Sequence, residues 1–93
     1  MGIPAKILVV EDEMVIGANI SLELTNMGFE VTGIVPRGEE ALHHIKQNSP
    51  DIVLLDLIMP GMDGVETTRQ IKKISPRTQV VVLTSYHEDA HIF

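Results

Sequence analysis

Three unbroken runs of mostly β-branched apolar residues, Ile7-Leu8-Val9-Val10, Ile52-Val53-Leu54-Leu55 and Val80-Val81-Val82-Leu83, set the strongest limit on how this chain can fold. A strand that alternates apolar and polar residues buries one face, whereas an unbroken run buries both, as in a parallel sheet covered by helices on either side. The three runs are expected to be central strands. Val31-Thr32-Gly33-Ile34-Val35 is more mixed, with a glycine at its middle, and is expected to lie outermost.

Between the runs the period turns helical. Ile16, Ile20, Leu24 and Met27 recur at three and four residues, with Gly28 as a stop, and mark a first helix whose inner stripe they form. Ala41, Leu42 and Ile45 mark a second, from about Gly38 to Asn48, ended by Ser49-Pro50 because the residue before proline is pushed out of the helical region. A third covers roughly Val65 to Ile74, with Val65, Thr68 and Ile71 inward and Ser75-Pro76 after it. Strands alternating with such helices imply right-handed βαβ crossovers. The expected order of elements is βαβαβαβ, then the start of another helix after Ser85.

Length and charge narrow the function. At 93 residues, 1–93 is read as one small domain, and 44% hydrophobic with 22% charged residues is the balance of a soluble globular chain. Cysteine is absent, which excludes disulfides and thiolate metal sites, and no apolar run reaches the length of a membrane span. Met1 to Lys6 lacks the apolar core of a secretory signal, so a cytoplasmic location is expected. Thirteen acidic against seven basic residues give a net charge of −6, which disfavours direct nucleic-acid binding.

In an open parallel sheet, ligands bind at the carboxyl ends of the strands. Glu11, Asp12 and Glu13 follow the first run, Asp56 the third strand, and Thr84 and Ser85 the fourth. Close carboxylates repel, at about 4 kcal/mol per pair at an effective dielectric near 20. A hard divalent cation would offset that, and magnesium takes one or two carboxylates plus waters. An Mg2+ site of Glu11, Asp12 and Asp56 is therefore expected. Asp56 is also the best nucleophile candidate, since a carboxylate can attack a phosphoryl group directly. The acidic triplet alone reads equally well as a helix start favoured by the helix dipole. Asp56 ending a wholly apolar strand tips the balance, because a charge there is costly unless it serves a site.

After Asp56, Met59-Pro60-Gly61-Met62-Asp63-Gly64 is a turn whose glycines let backbone approach a ligand. The Thr84 hydroxyl could donate to a phosphoryl oxygen, with small Ser85 leaving room. By itself, Thr84-Ser85 is more often only a strand end with a helix cap. His87 and His91, four apart, make at most an incomplete metal site.

Together Glu11-Asp12, the segment Leu55-Asp56-Leu57-Ile58-Met59-Pro60-Gly61-Met62-Asp63-Gly64 and Leu83-Thr84-Ser85 resemble the receiver domains of bacterial two-component response regulators. The resemblance runs from about Lys6 to the end. It implies a flavodoxin-like, doubly wound parallel α/β sheet with strand order 2-1-3-4. It also implies that Asp56 accepts phosphate from a sensor histidine kinase. By the same resemblance Glu11, Asp12, Asp56 and the Ile58 carbonyl hold Mg2+, and Thr84 senses the phosphate.

The sequence departs from that family where a fifth strand, bearing a lysine and a switch aromatic, and a last helix would follow. Lys72, Lys73 and Tyr86 do not occupy those places. Strand four is then expected to be an open apolar edge, with homo-oligomers forming through it or through the tail from Tyr86 to Phe93. The first half resembles receivers attached to sensors and Val65 to Phe93 those of helix-turn-helix regulators, as in a chimera or engineered fragment. The alternative functional reading is an inactive, self-associating fragment of that kind. A phosphatase of the haloacid dehalogenase type would need an acid where Ile58 stands, and a nucleotide or flavin site would be repelled by Glu11-Asp12-Glu13.

Overall fold

The computed structural model describes residues 2–56, 64–83 and 90–92, the side chains of Asp56 and of residues 90–92 excepted. The elements are β1 (Lys6–Val10), α1 (Met14–Asn26), β2 (Glu30–Val35), α2 (Gly38–Gln47), β3 (Ile52–Asp56), α3 (Gly64–Ile74), β4 (Gln79–Leu83) and β5 (Ala90–Ile92). They form one sheet in the order β2-β1-β3-β4-β5. The first four strands are parallel, so the expected order 2-1-3-4 is found, with β2 outermost.

The far edge differs from expectation. Strand β4 is not an open edge: β5 pairs with it antiparallel, Val81 opposite Ile92, Val82 opposite His91 and Leu83 opposite Ala90. Ala90–Ile92 is accordingly strand where a further helix was expected after Ser85. An apolar strand with unpaired backbone N–H and C=O groups is costly to leave bare. The tail satisfies one side of it.

Because β1, β3 and β4 each carry an unbroken run of four apolar residues, both of their faces are used. Leu8, Val10, Val53, Leu55, Val80 and Val82 meet Ala41 and Ile45 of α2 and Ile71 of α3 in one core cluster. Each fully buried side chain of this kind contributes about 1.5–3 kcal/mol. The alternate residues Ile7 and Val9, 3% and 0% exposed, lie on the opposite face, where α1 packs on β1 and β2.

Helix α1 is rotated from the stripe its sequence suggests. Ile20 and Leu24 are half-buried, but Ile16 is 46% and Met27 70% exposed, and the residue fully inside is Gly17. A helical glycine is about 1 kcal/mol less favourable than alanine. The packing explains it: a Cβ on Gly17 would stand 2.9 Å from Ile34 Cγ2 on β2. The helix ends as expected at Gly28, whose φ of +99° suits glycine, with Gly28 N–H donating to Thr25 O and Phe29 N–H to Leu24 O, both at 3.0 Å.

At α2, His44 of the last turn packs over Gly33 and lies 3.2 Å from Thr32 Oγ1. Thr32 is the extra residue of a bulge, since β1 runs from Ile7 to Leu8 where β2 runs from Val31 to Gly33. Helix α3 buries Thr67, Thr68 and Ile71, while Val65, expected inward, is 74% exposed. It lies on the first turn, and Gly64, Thr67 and Thr68 take the inward face instead.

Behind α3 a polar knot fixes the start of β4. Thr78 Oγ1 donates to Pro50 O, Lys72 Nζ donates to Thr78 O at 2.8 Å, and Gln79 N–H donates to Asp51 O at 2.9 Å. Asp51 in turn reaches β1, its carboxylate accepting from Lys6 N–H at 2.8 Å. The three strands that carry the rim residues are thereby set in register from their amino ends.

Candidate functional site at the carboxyl ends of the strands

The register brings the predicted residues to one rim. Val10 lies opposite Leu55 in the parallel pair β1 and β3, and Leu55 lies opposite Val82. Glu11 and Asp56 therefore come next on neighbouring strands, and Asp56, the last residue of β3, pairs with Leu83 of β4. Thr84 follows Leu83 directly but, like Ile58 and the loop around it, lies outside the described residues.

Glu11 and Asp12 sit differently although adjacent. Glu11 is 7% exposed, its N–H donating to Val35 O of β2 at 2.9 Å, so it continues the sheet one residue past β1. Asp12 is exposed, and its N–H donates to Glu11 Oε2 at 3.1 Å. Glu13 is the N-cap of α1, with no side-chain capping hydrogen bond. Glu13 at the N-cap meets the positive end of the helix dipole, so the helix-start reading of the triplet stands beside the metal reading. A buried carboxylate at the end of an apolar strand is an oxygen donor fit for a hard cation.

Among the described residues no group of three His, Cys, Asp or Glu side chains is close enough to hold a metal ion by itself. Of the expected set Glu11, Asp12 and Asp56, the side chain of Asp56 lies outside the described ones. A depression of about 570 Å³ lies at the other end of the sheet, lined by Lys6, Glu30, Thr32, His44 and Asn48 among others. It is polar but remote from the rim, because Lys6 and Glu30 open β1 and β2.

A family model described as the response regulator receiver domain matches residues 7–93. The chain belongs to that family. This receiver domain is 41% identical over 91 residues to the response regulator protein VraR of Staphylococcus saprophyticus, covering 97% of the chain and 44% of the relative. It is 42% identical over 89 residues to VraR of Staphylococcus aureus, covering 95% of the chain and 43% of that protein. The receiver domain thus spans less than half the length of these relatives.

Among solved structures, it resembles the response regulator TrrA of Thermotoga maritima in complex with Mg(2+)-BeF, at a TM-score of 0.81 and 36% identity, over 88% of this chain and 70% of that one. It also resembles the signal receiver domain of a modulated diguanylate cyclase from Desulfovibrio desulfuricans, at a TM-score of 0.80 and 32% identity, over 89% and 66%. The flavodoxin-like receiver fold and membership of a signalling family are thus established. No helix among the described residues is long and apolar enough to cross a membrane.

Sequence reasoning missed two features of the fold, the β5 return and the close approach at Gly17. The antiparallel return of β5 left no signal because Ala90-His91-Ile92 is too short for a strand pattern. Gly17 carried a usable one: an isolated glycine in a helical stretch asks for a packing reason.

Proposed function

We propose that this receiver domain is a cytoplasmic phosphoacceptor switch in which Asp56 is phosphorylated by a sensor histidine kinase in an Mg2+-dependent reaction. The observation that carries the reading is the convergence of Glu11, Asp12 and Asp56 on the carboxyl ends of adjacent parallel strands. The Mg(2+)-BeF complex of TrrA, a protein of the same fold, supports it.

Asp56 attacks phosphorus with a carboxylate oxygen, so the donor's bond to phosphorus breaks as the acyl-phosphate (mixed anhydride) bond forms. A carboxylate has no proton to lose and needs no general base. Glu11 and Asp12, with Asp56 and the Ile58 carbonyl, would hold the cation. Mg2+, when bound, offsets the negative charge that gathers on the transferring oxygens. Burial of Glu11 keeps its carboxylate close to the strand end and limits competition from water. The Thr84 hydroxyl, one residue beyond β4, donates to a phosphoryl oxygen and carries the change to the end of that strand. Phosphorylation adds charge and three acceptor oxygens, which is the signal such a module passes on. The domain, read as a single unit over 1–93, acts as a switch and not as a turnover enzyme.

The experiment is phosphorylation by acetyl phosphate in Mg2+, in EDTA, and with Asp12→Asn. Labelling in Mg2+ that is lost in EDTA and strongly slowed by Asp12→Asn supports the reading; metal-independent labelling overturns it. A folded protein that takes no phosphate under any condition would instead fit an inactive, structural fragment.

Self-association is the second part of the proposal. With β4 already paired, the contact falls to the C-terminal tail, where β5 is the outermost strand and its outer backbone edge can pair with a second copy. Light scattering that finds only monomer across a wide concentration range refutes it.

A further inference from the structure

Gly17 is the only buried residue of α1, and three atoms crowd the place where its Cβ would be: Ile34 Cγ2 at 2.9 Å, Glu11 Cβ at 3.7 Å and Glu11 Cγ at 3.8 Å. The first distance is too short for a real side chain. Ile34, on β2 opposite Val9, is β-branched and so stiff at χ1, and turning its methyl aside costs a rotamer change although the side chain is 43% exposed. The other two atoms belong to the aliphatic stem of buried Glu11, at ordinary contact distance. At Gly17, helix α1 therefore comes close to the strand beside β1 and to the stem of Glu11 together.

The link between that point and the acidic rim is short. Gly17 N–H donates to Glu13 O at 2.9 Å, and Glu13 is separated from Glu11 only by Asp12, whose N–H is held by Glu11 Oε2. On its other side Glu11 is fixed to β2 through Val35 O. Raising α1 by the width of a methyl group would move one wall of this enclosure and leave the other in place.

We infer that Gly17 is a positioning residue for cation binding: the absence of a side chain lets α1 close on Ile34 and hold the Glu11 carboxylate at the rim. The inference rests on the proposed Mg2+ site and adds a residue to it that touches no ligand. Residues that orient metal ligands without touching the metal typically alter affinity by about 10–100-fold.

The test compares the full chain with Gly17→Ala and with Gly17→Ala/Ile34→Ala, in which the obstructing methyl is removed from a side chain that is 43% exposed. Mg2+ alone is titrated by calorimetry, without phosphodonor, and thermal unfolding is followed on the same samples. Gly17→Ala is expected to bind Mg2+ about tenfold more weakly, and the double variant to recover most of that loss whatever its unfolding midpoint. Equal affinity in the wild type and a folded Gly17→Ala overturns the inference, as does a folded double variant that still binds weakly. Should Gly17→Ala fail to fold, the double variant decides by the same criterion. A wild-type chain that binds no Mg2+ overturns the proposed site itself, and the two failures are thus told apart.

Discussion

Thr78 Oγ1 donates to the Pro50 carbonyl oxygen at 2.7 Å, joining the turn before β4 to the turn before β3. With its proton committed there, Thr78 accepts from Ser75 Oγ–H at 2.6 Å, so both hydroxyls of this buried pair are satisfied. Thr78 is 1% and Ser75 8% exposed, and no water can replace the bonds.

Thr78→Val keeps the shape and removes the hydroxyl. It leaves the Pro50 carbonyl and the Ser75 hydroxyl unpaired in a buried place, which costs about 1–3 kcal/mol. A fall of the urea midpoint by that amount, with unchanged slope, is expected. An unchanged midpoint would mean that the knot contributes nothing.

The opposite outcome is expected on α3. Thr67 is 0% exposed and its Oγ1 has no hydrogen-bond partner among the described residues, a desolvated hydroxyl with nothing in return. Thr67→Val replaces it with a methyl of similar size and leaves helix propensity nearly unchanged. The variant should be more stable by about 1 kcal/mol, read as a raised urea midpoint. Destabilisation would show that the hydroxyl has a role the geometry does not reveal.

Much of this architecture was legible from the chain because it follows from local rules. Unbroken apolar runs such as Val80-Val81-Val82-Leu83 name buried parallel strands, and Gly28 and Ser49-Pro50 name helix ends through backbone sterics. The rim followed from these, since Glu11, Asp12 and Asp56 stand where the apolar runs stop. What was not legible depends on tertiary fit. Periodicity placed Ile16 and Met27 inward, but the close approach at Gly17 rotates α1 so that both are exposed. The β5 return depends on a backbone edge needing partners, which no side-chain pattern in Ala90-His91-Ile92 announces.

A surface pair makes a pH prediction. The Arg37 guanidinium bonds the Glu40 carboxylate at 3.0 Å and holds its pKa below the ordinary value, first through the hydrogen bond and then through charge. Arg37 is shifted upward for the same reason. A carboxyl whose folded pKa is lowered adds stability above its unfolded pKa and loses it as pH falls through the folded one. Glu40 should therefore titrate below a free glutamate by NMR, and Arg37→Gln should move it back up. A Glu40 midpoint unaffected by Arg37→Gln would contradict the pairing.

The most direct measurement is the intact mass of the protein after incubation with acetyl phosphate and Mg2+, beside Asp56→Asn. The account predicts one added phosphoryl group that requires Mg2+ and is absent from Asp56→Asn. Addition that persists in Asp56→Asn, or no addition to a well-folded wild type that binds Mg2+, would contradict it.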